Sequence, residues 1–147
     1  MKTNGPPPTS PGAGGRHGAP MPIIRCPTPA HADQRYLALV VAKGAALFLF
    51  FGAEDPLTGT SWCPDCQTAD PVLRRACRDL LPTVDLLECP VGQRSDWKQR
   101  PEHPYRLHHA FRIARIPTLL RFADGVEIGR LVEADCTVPQ RVQAFLS

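Results

Sequence analysis

The sequence predicts an α/β protein with a central mixed β-sheet flanked by helices. Three observations carry this. Residues 46–51 are an unbroken apolar run and 84–89 a second short, mainly apolar one, an amphipathic helical stretch lies between them, and Asp124-Gly125 separates two further runs. Apolar runs joined through a helix read as parallel strands buried on both faces. Asp-Gly between two runs is a hairpin signal and adds an antiparallel pair.

Taken in order, residues 21–25 form at most a short edge strand, because Pro22 lacks a backbone donor. Residues 33–43 follow as a helix: Tyr36, Leu37, Val40 and Val41 recur at helical spacing, Asp33 stands in the first turn, and Gly44 is placed to end it. Residues 46–51 are apolar throughout and read as the central strand. A loop over residues 52–61 leads to a helix from Cys63 to about Leu81, with Ala69, Val72, Leu73, Ala76, Cys77, Leu80 and Leu81 on one apolar face. Pro71 removes a backbone bond inside it and is expected to kink it. Cys77 falls on nearly the face of Cys66 and reads as a small buried hydrophobe.

Residues 84–89 are the second parallel strand, with the preceding helix as crossover. After a polar stretch over 92–101 that holds Trp97-Lys98, Pro104 opens a helix to about Phe111 with Leu107, Ala110 and Phe111 inward. Residues 118–122 and 126–131 make the hairpin, and residues 137–146 close the chain as a helix with Thr137 and Gln140 as a capping box. The expected order is βαβαβαββα.

A chain of 147 residues with 43% hydrophobic residues suits one domain. The net charge of +3 is mild, and no basic stripe interleaved with aromatics points to nucleic acid. Residues 1–30 hold eight prolines, five glycines and no acid, cannot bury a core, and are expected to be a disordered extension. That leaves residues 31–147 as the domain, with the edge strand from residue 21 as its forward extension. The extension has no apolar core segment of a secretory signal, so the cytosol is expected, while its lack of acids leaves an organellar address open. The apolar run over 37–52 is interrupted by Lys43-Gly44 and is shorter than the roughly 20 residues a membrane span needs. No membrane association is expected.

The chemistry centres on Trp62-Cys63-Pro64-Asp65-Cys66, placed where a strand hands over to a helix. Two thiols at this spacing can close a disulfide and reopen it. The positive end of a helix favours thiolate, which makes Cys63 the candidate nucleophile. Cys66, one turn further in, would displace the product from the mixed disulfide. Zinc normally needs four N or S ligands, yet Cys26, Cys77, Cys89 and Cys136 are isolated and His103, His108 and His109 crowd one expected helix. No metal is expected, although a zinc-binding pair and a non-catalytic interaction module with a Pro-rich tail remain the alternative readings.

A strand, a Trp-Cys-x-x-Cys helix with Pro71 inside it, and a later Ile116-Pro117-Thr118 before a hairpin resemble thioredoxin and its fold. More narrowly, Ser61 to Cys66, Pro90-Val91-Gly92, Trp97-Lys98, Ile116 to Leu120 and Glu133 to Cys136 resemble the thioredoxin domain-containing protein 17 family. The resemblance implies a monomeric protein-disulfide reductase with no bound cofactor beyond its redox-active Cys63–Cys66 disulfide. It further implies thioredoxin reductase and NADPH as electron source, and cystine, selected protein disulfides and peroxide as outlets. Carried over by position, Cys63 attacks, Cys66 resolves, and Pro117 is the cis-proline facing them, which would leave the Ile116 backbone free to pair with substrate. On the residues alone, Pro117 reads as an ordinary trans proline starting a strand, since only about 5–6% of X-Pro bonds are cis, and the cis reading comes from the resemblance.

Thioredoxins also carry a buried acid on the central strand, but residues 46–51 have none. Asp65, or the loop acids Glu54 and Asp55, would then manage the Cys66 proton. Asp65 has a second reading as an acid that merely caps the helix N-terminus, and its charge between the two cysteines partly offsets the helix dipole and disfavours thiolate. Trp62 either shapes access to Cys63 or packs over the first turn. Arg115, with Arg112 nearby, either favours anionic partners or is a solvated helix end. The loop over 54–60 is expected to narrow access to Cys63.

Overall fold

A computed structural model describes residues 20–147. Its mixed five-stranded sheet has the order β1-β3-β2-β4-β5, from β1 (Ile23–Arg25), β2 (Ala46–Phe51), β3 (Asp85–Pro90), β4 (Thr118–Ala123) and β5 (Val126–Val132). β2 lies at the centre because every one of its residues is apolar and buried. It runs parallel to β3, with Phe50 opposite Cys89, and antiparallel to β4. Asp124 and Gly125 both take positive φ between β4 and β5, as the Asp-Gly signal requires. β1 is the parallel edge strand beside β3.

One sheet face packs on α2 (Pro64–Leu80), the other on α1 (Pro29–Ala42) and an aromatic cluster of Phe48, Phe50, Tyr105 and Phe111. α5 (Pro139–Leu146) docks against α2 and buries Val142 and Leu146. The face of α2 holds Cys66, Ala69, Leu73, Ala76 and Cys77, while Leu80 is largely exposed.

Several expectations are corrected. The boundary at residue 30 falls inside α1, which starts at Pro29 behind a Thr28 cap, and Met21 and Cys26 are already buried. The rest of the expected extension, residues 1–19, lies outside the described residues. α1 buries Ala32 and packs Tyr36 and Leu39, whereas Leu37, Val40 and Val41 are exposed. The helix is apolar on several sides, so periodicity alone could not pick its buried stripe. Lys43, not Gly44, takes the left-handed conformation that ends it.

The expected helix to Phe111 stops after α4 (Pro104–Leu107), and Leu107 points outward. His108 ends it by accepting the N–H groups of Ala110 and Phe111 on Nδ1, while its Nε2 meets Asp33 at 2.7 Å. The polar stretch contains a short helix, α3 (Arg94–Trp97), that buries Trp97. Residues 133–137 form a 3₁₀ turn, and the expected capping box is absent: Thr137 donates to Ala134 O, and Pro139 opens α5.

Candidate active site

β2 ends at Phe51, and the chain passes through Gly52 into a compact loop. Asp55 accepts the N–H groups of Leu57 and Thr58, and Glu54 bridges to Ser61. Trp62 follows, with its indole N–H donating 2.8 Å to Gly92 O. Its ring lies where a side chain on Gly52 would be, since a Cβ there would meet Trp62 Cε2 at 2.6 Å. This bond and this fit fix the turn that delivers Cys63 to the start of α2. Trp62 thus packs on the first turn and also walls the groove beside Cys63.

Cys63 is the N-cap of α2, and its sulfur accepts the Cys66 N–H at 3.3 Å. Both are free, buried thiols. The Cys66 thiol also bonds to Cys63 and is the main cause that brings the Cys63 pKa down to about 7, against the opposing effects of burial and the Asp65 carboxylate. Cys66 moves the other way: its bond to Cys63, then burial, push its thiol far above the ordinary range. The pair is therefore poised with one proton between two sulfurs, and Cys63 carries the charge.

The Ile116–Pro117 peptide is cis. Thr118 Oγ1 donates to Arg115 O at 2.6 Å and Glu133 N to Pro117 O at 2.7 Å, which ties down this segment. Two hollows flank the thiols. A groove of about 280 Å³ beside Cys63 is walled by Trp62, Asp65, Arg94, Lys98, Arg106 and Ile116, among others. Arg115 also lines it, paired with Glu133 at 2.9 Å. A cavity of about 270 Å³ behind Cys66 is lined by Leu49, Glu54, Thr60, Asp70, Arg74 and Pro117, among others.

The site residues named from sequence are thus brought to one place, with three qualifications of position. Asp55 is spent on its own loop and is not among the residues lining the Cys66 cavity. The loop walls that cavity, rather than the Cys63 groove it was expected to narrow. Arg112 lines a separate hollow, so Arg115 acts without it. Two sets of residues escaped sequence reasoning. Asp70 and Arg74 follow Cys66 at helical i, i+4 spacing, a signal that was present, and form an ion pair at 2.8 Å. Arg74 also binds Glu88 at 2.6 Å, and Arg25 joins Glu88 to Glu54. Arg106 stacks 3.5 Å over Trp97, donates to the carbonyls of Ala114 and Trp97, and leaves Nε buried without a partner. No local signal marks that contact.

Among the described residues, no group of His, Cys, Asp and Glu could hold a metal ion, and no helix is long and apolar enough to cross a membrane.

Comparison with known proteins places this geometry. The thioredoxin domain of the thioredoxin domain-containing protein 17-like family matches residues 31–147. The thioredoxin-like protein Clot of Arabidopsis thaliana is 34% identical over 99 residues, covering 67% of this chain and 73% of that protein. Thioredoxin domain-containing protein 17 of Homo sapiens is 30% identical over 115 residues, covering 78% and 89%. Thioredoxin O2 of Arabidopsis thaliana, solved in its oxidised state, superposes with a TM-score of 0.58 at 17% identity, over 84% of this chain and 93% of that one. The fold is the thioredoxin fold.

Proposed function

The chain belongs to the thioredoxin domain-containing protein 17-like family, and from that premise we propose that it is a protein-disulfide reductase working through Cys63 and Cys66. Membership gives a thioredoxin-type redox role of the thiol–disulfide oxidoreductase kind. The observation that carries the finer reading is the opposed displacement of the two thiols, one held near pKa 7 and the other far above it.

Cys63 thiolate attacks one sulfur of a substrate disulfide, the substrate S–S bond breaks, and the departing thiolate takes up a proton. Cys66 then loses its proton and attacks Cys63 sulfur, releasing the second thiol and closing the Cys63–Cys66 disulfide. Glu54 and Asp70, which line the cavity behind Cys66, are the carboxylates placed to influence that proton. Asp65 stands on the Cys63 side and raises the Cys63 pKa, a tuning effect on the nucleophile. Substrate lies in the groove across Trp62 and Ile116, beside Pro117. Arg94, Lys98 and Arg106 line it and take part in none of the ion pairs among the described residues, which favours anionic partners.

The disulfide is recharged by thioredoxin reductase with NADPH, and cystine, selected protein disulfides and peroxide are the outlets, in the cytosol and as a monomer. NADPH consumption with purified thioredoxin reductase, with cystine and insulin as acceptors, tests this for wild type and Cys63→Ser. Turnover that needs Cys63 and favours cystine is expected. No turnover with either acceptor would remove the recharging route.

A further inference from the structure

The edge strand leads into a cysteine that the Cys63 chemistry does not use. β1 pairs with β3 in parallel, and the last pair in the strand is Arg25 opposite Glu88. The ladder continues by one bond, Cys26 N to Glu88 O at 2.8 Å. That bond closes the Arg25–Glu88 couple, and the same register carried one residue further along both chains sets Cys26 opposite Cys89. Adjacent strands lie about 4.7–4.9 Å apart, which puts such a couple inside the roughly 4.4–6.8 Å Cα window of a disulfide.

Their side chains share a face, because opposite residues point the same way. That face carries Phe50, the partner of Cys89 on β2, and is turned from the Arg25–Glu88 ion pair. Both cysteines are buried, and the Tyr105 hydroxyl beside them is buried without a hydrogen-bond partner. The Cys89 thiol donates to Leu87 O at 3.7 Å; its closeness to Cys26 brings the Cys26 pKa down to about 7, while burial, then Cys26, push Cys89 well up. Asymmetry of the kind seen in the active site thus recurs on the opposite face of the sheet.

We propose that Cys26 and Cys89 are a second dithiol, which a hydroperoxide closes to a disulfide stapling the edge strand β1 to β3. Cys26 thiolate attacks one peroxide oxygen, the O–O bond breaks, and the departing oxygen takes a proton and leaves as alcohol, or as water from hydrogen peroxide. The sulfenic acid left on Cys26 is then attacked by Cys89 sulfur. The S–O bond breaks, and the hydroxide leaves as water with the Cys89 proton. Two thiols and one hydroperoxide give one disulfide, one alcohol and one water. The oxidant reaches the pair when the three-residue strand β1 opens, so closure is slower than at Cys63 and Cys66. Once formed, the bond prevents further opening.

The test uses the full chain carrying Cys63→Ser and Cys66→Ser, so that no active-site disulfide forms. The protein is treated with hydrogen peroxide, and in parallel refolded from denaturant in a glutathione redox buffer, where burial cannot exclude the oxidant. Thiols are then blocked under denaturing conditions and the peptides mapped by mass spectrometry. A Cys26 peptide joined to the Cys89 peptide is expected after both treatments, with a Tm raised by several degrees. Both changes are lost when Cys26→Ser is added. Recovery of Cys26 and Cys89 as blocked thiols after both treatments, or Cys89 joined to Cys77 or Cys136 instead, would overturn the proposal.

Discussion

Replacing Cys66 by alanine removes the hydrogen-bond donor that does most to hold Cys63 near pKa 7. Burial and the Asp65 carboxylate both oppose ionisation and remain, so the Cys63 pKa must rise, on the order of one unit when one strong hydrogen bond to the charged form is lost. At pH 7 the thiolate fraction then falls from about one half to about one tenth, a loss of roughly fivefold. A more basic thiolate is also a better nucleophile, by about threefold per pKa unit at a Brønsted slope of roughly 0.4–0.5. The net effect at pH 7 is alkylation slowed about twofold, whereas above pH 9 the variant is about threefold faster. The two pH–rate profiles for iodoacetamide therefore cross. Thiolate absorbance near 240 nm, measured on Cys66→Ala and on the wild type, reports the pKa directly. Superimposable profiles, or a pKa that falls, would refute the claim that the Cys66 thiol stabilises the Cys63 thiolate.

Asp65→Asn removes a charge that raises the Cys63 pKa, so the pH–rate profile for alkylation moves to lower pH by a few tenths of a unit; an upward shift would contradict this electrostatic role. Asp70→Asn leaves Cys63 alkylation unchanged and slows resolution of a preformed Cys63 mixed disulfide, followed by stopped-flow; equal resolution rates would remove Asp70 from proton handling. Gly52→Ala places a Cβ within 2.6 Å of the Trp62 ring, and overpacking there costs about 1–3 kcal/mol in urea unfolding, with loss of the indole bond to Gly92 visible in Trp fluorescence. Lys98→Glu together with Arg94→Glu lowers kcat/KM for a disulfide flanked by acidic residues and raises it for one flanked by lysines, at low salt. Equal changes for both substrates would mean that the groove does not select by charge.

The parts of the fold that were legible are those whose signal is local. An all-apolar run at 46–51 has one reading, Asp124-Gly125 has one favoured turn, and the Cys pair beside a helix start has few chemistries. What escaped depends on contacts across the chain. The helix expected to reach Phe111 is cut by His108, whose ring is held between the backbone that follows it and Asp33, seventy-five positions earlier. α3 exists because Gln93 and Asp96 form a capping box and Trp97 finds a buried seat under Arg106, and only the first of these is a local pattern. The closing helix starts one residue later than its sequence pattern implies, because Thr137 and Gln140 match a capping pattern while Pro139 marks the true first turn. At the site, the thiols and Pro117 could be named from motif alone. The groove could not, since Arg94, Lys98 and Arg106 reach it from separate short elements that no single sequence pattern links.

The same electrostatics also explain why the two cysteines act in a fixed order. Two contributions from Cys63 hold the Cys66 proton in place, the hydrogen bond between the sulfurs and the charge of the Cys63 thiolate, and burial adds to both. When Cys63 forms a mixed disulfide its charge disappears and its sulfur becomes a poor acceptor. Both contributions from Cys63 are lost in that one step, and only burial still opposes ionisation of Cys66. At that point the Cys66 N–H to Cys63 contact keeps the sulfurs adjacent, so the thiolate forms where its target already lies. The central strand brings Leu49 rather than an acid to the cavity, and the carboxylates there are held by arginines: Glu54 by Arg25, and Asp70 by Arg74. Arg25 holds the Glu54 carboxyl below the ordinary carboxylate range, so Glu54 is a weak base that favours passage of a proton toward the open cavity more than its capture. The resolving step is therefore triggered by chemistry at Cys63, and the absence of a strand acid removes a base that could have ionised Cys66 too early.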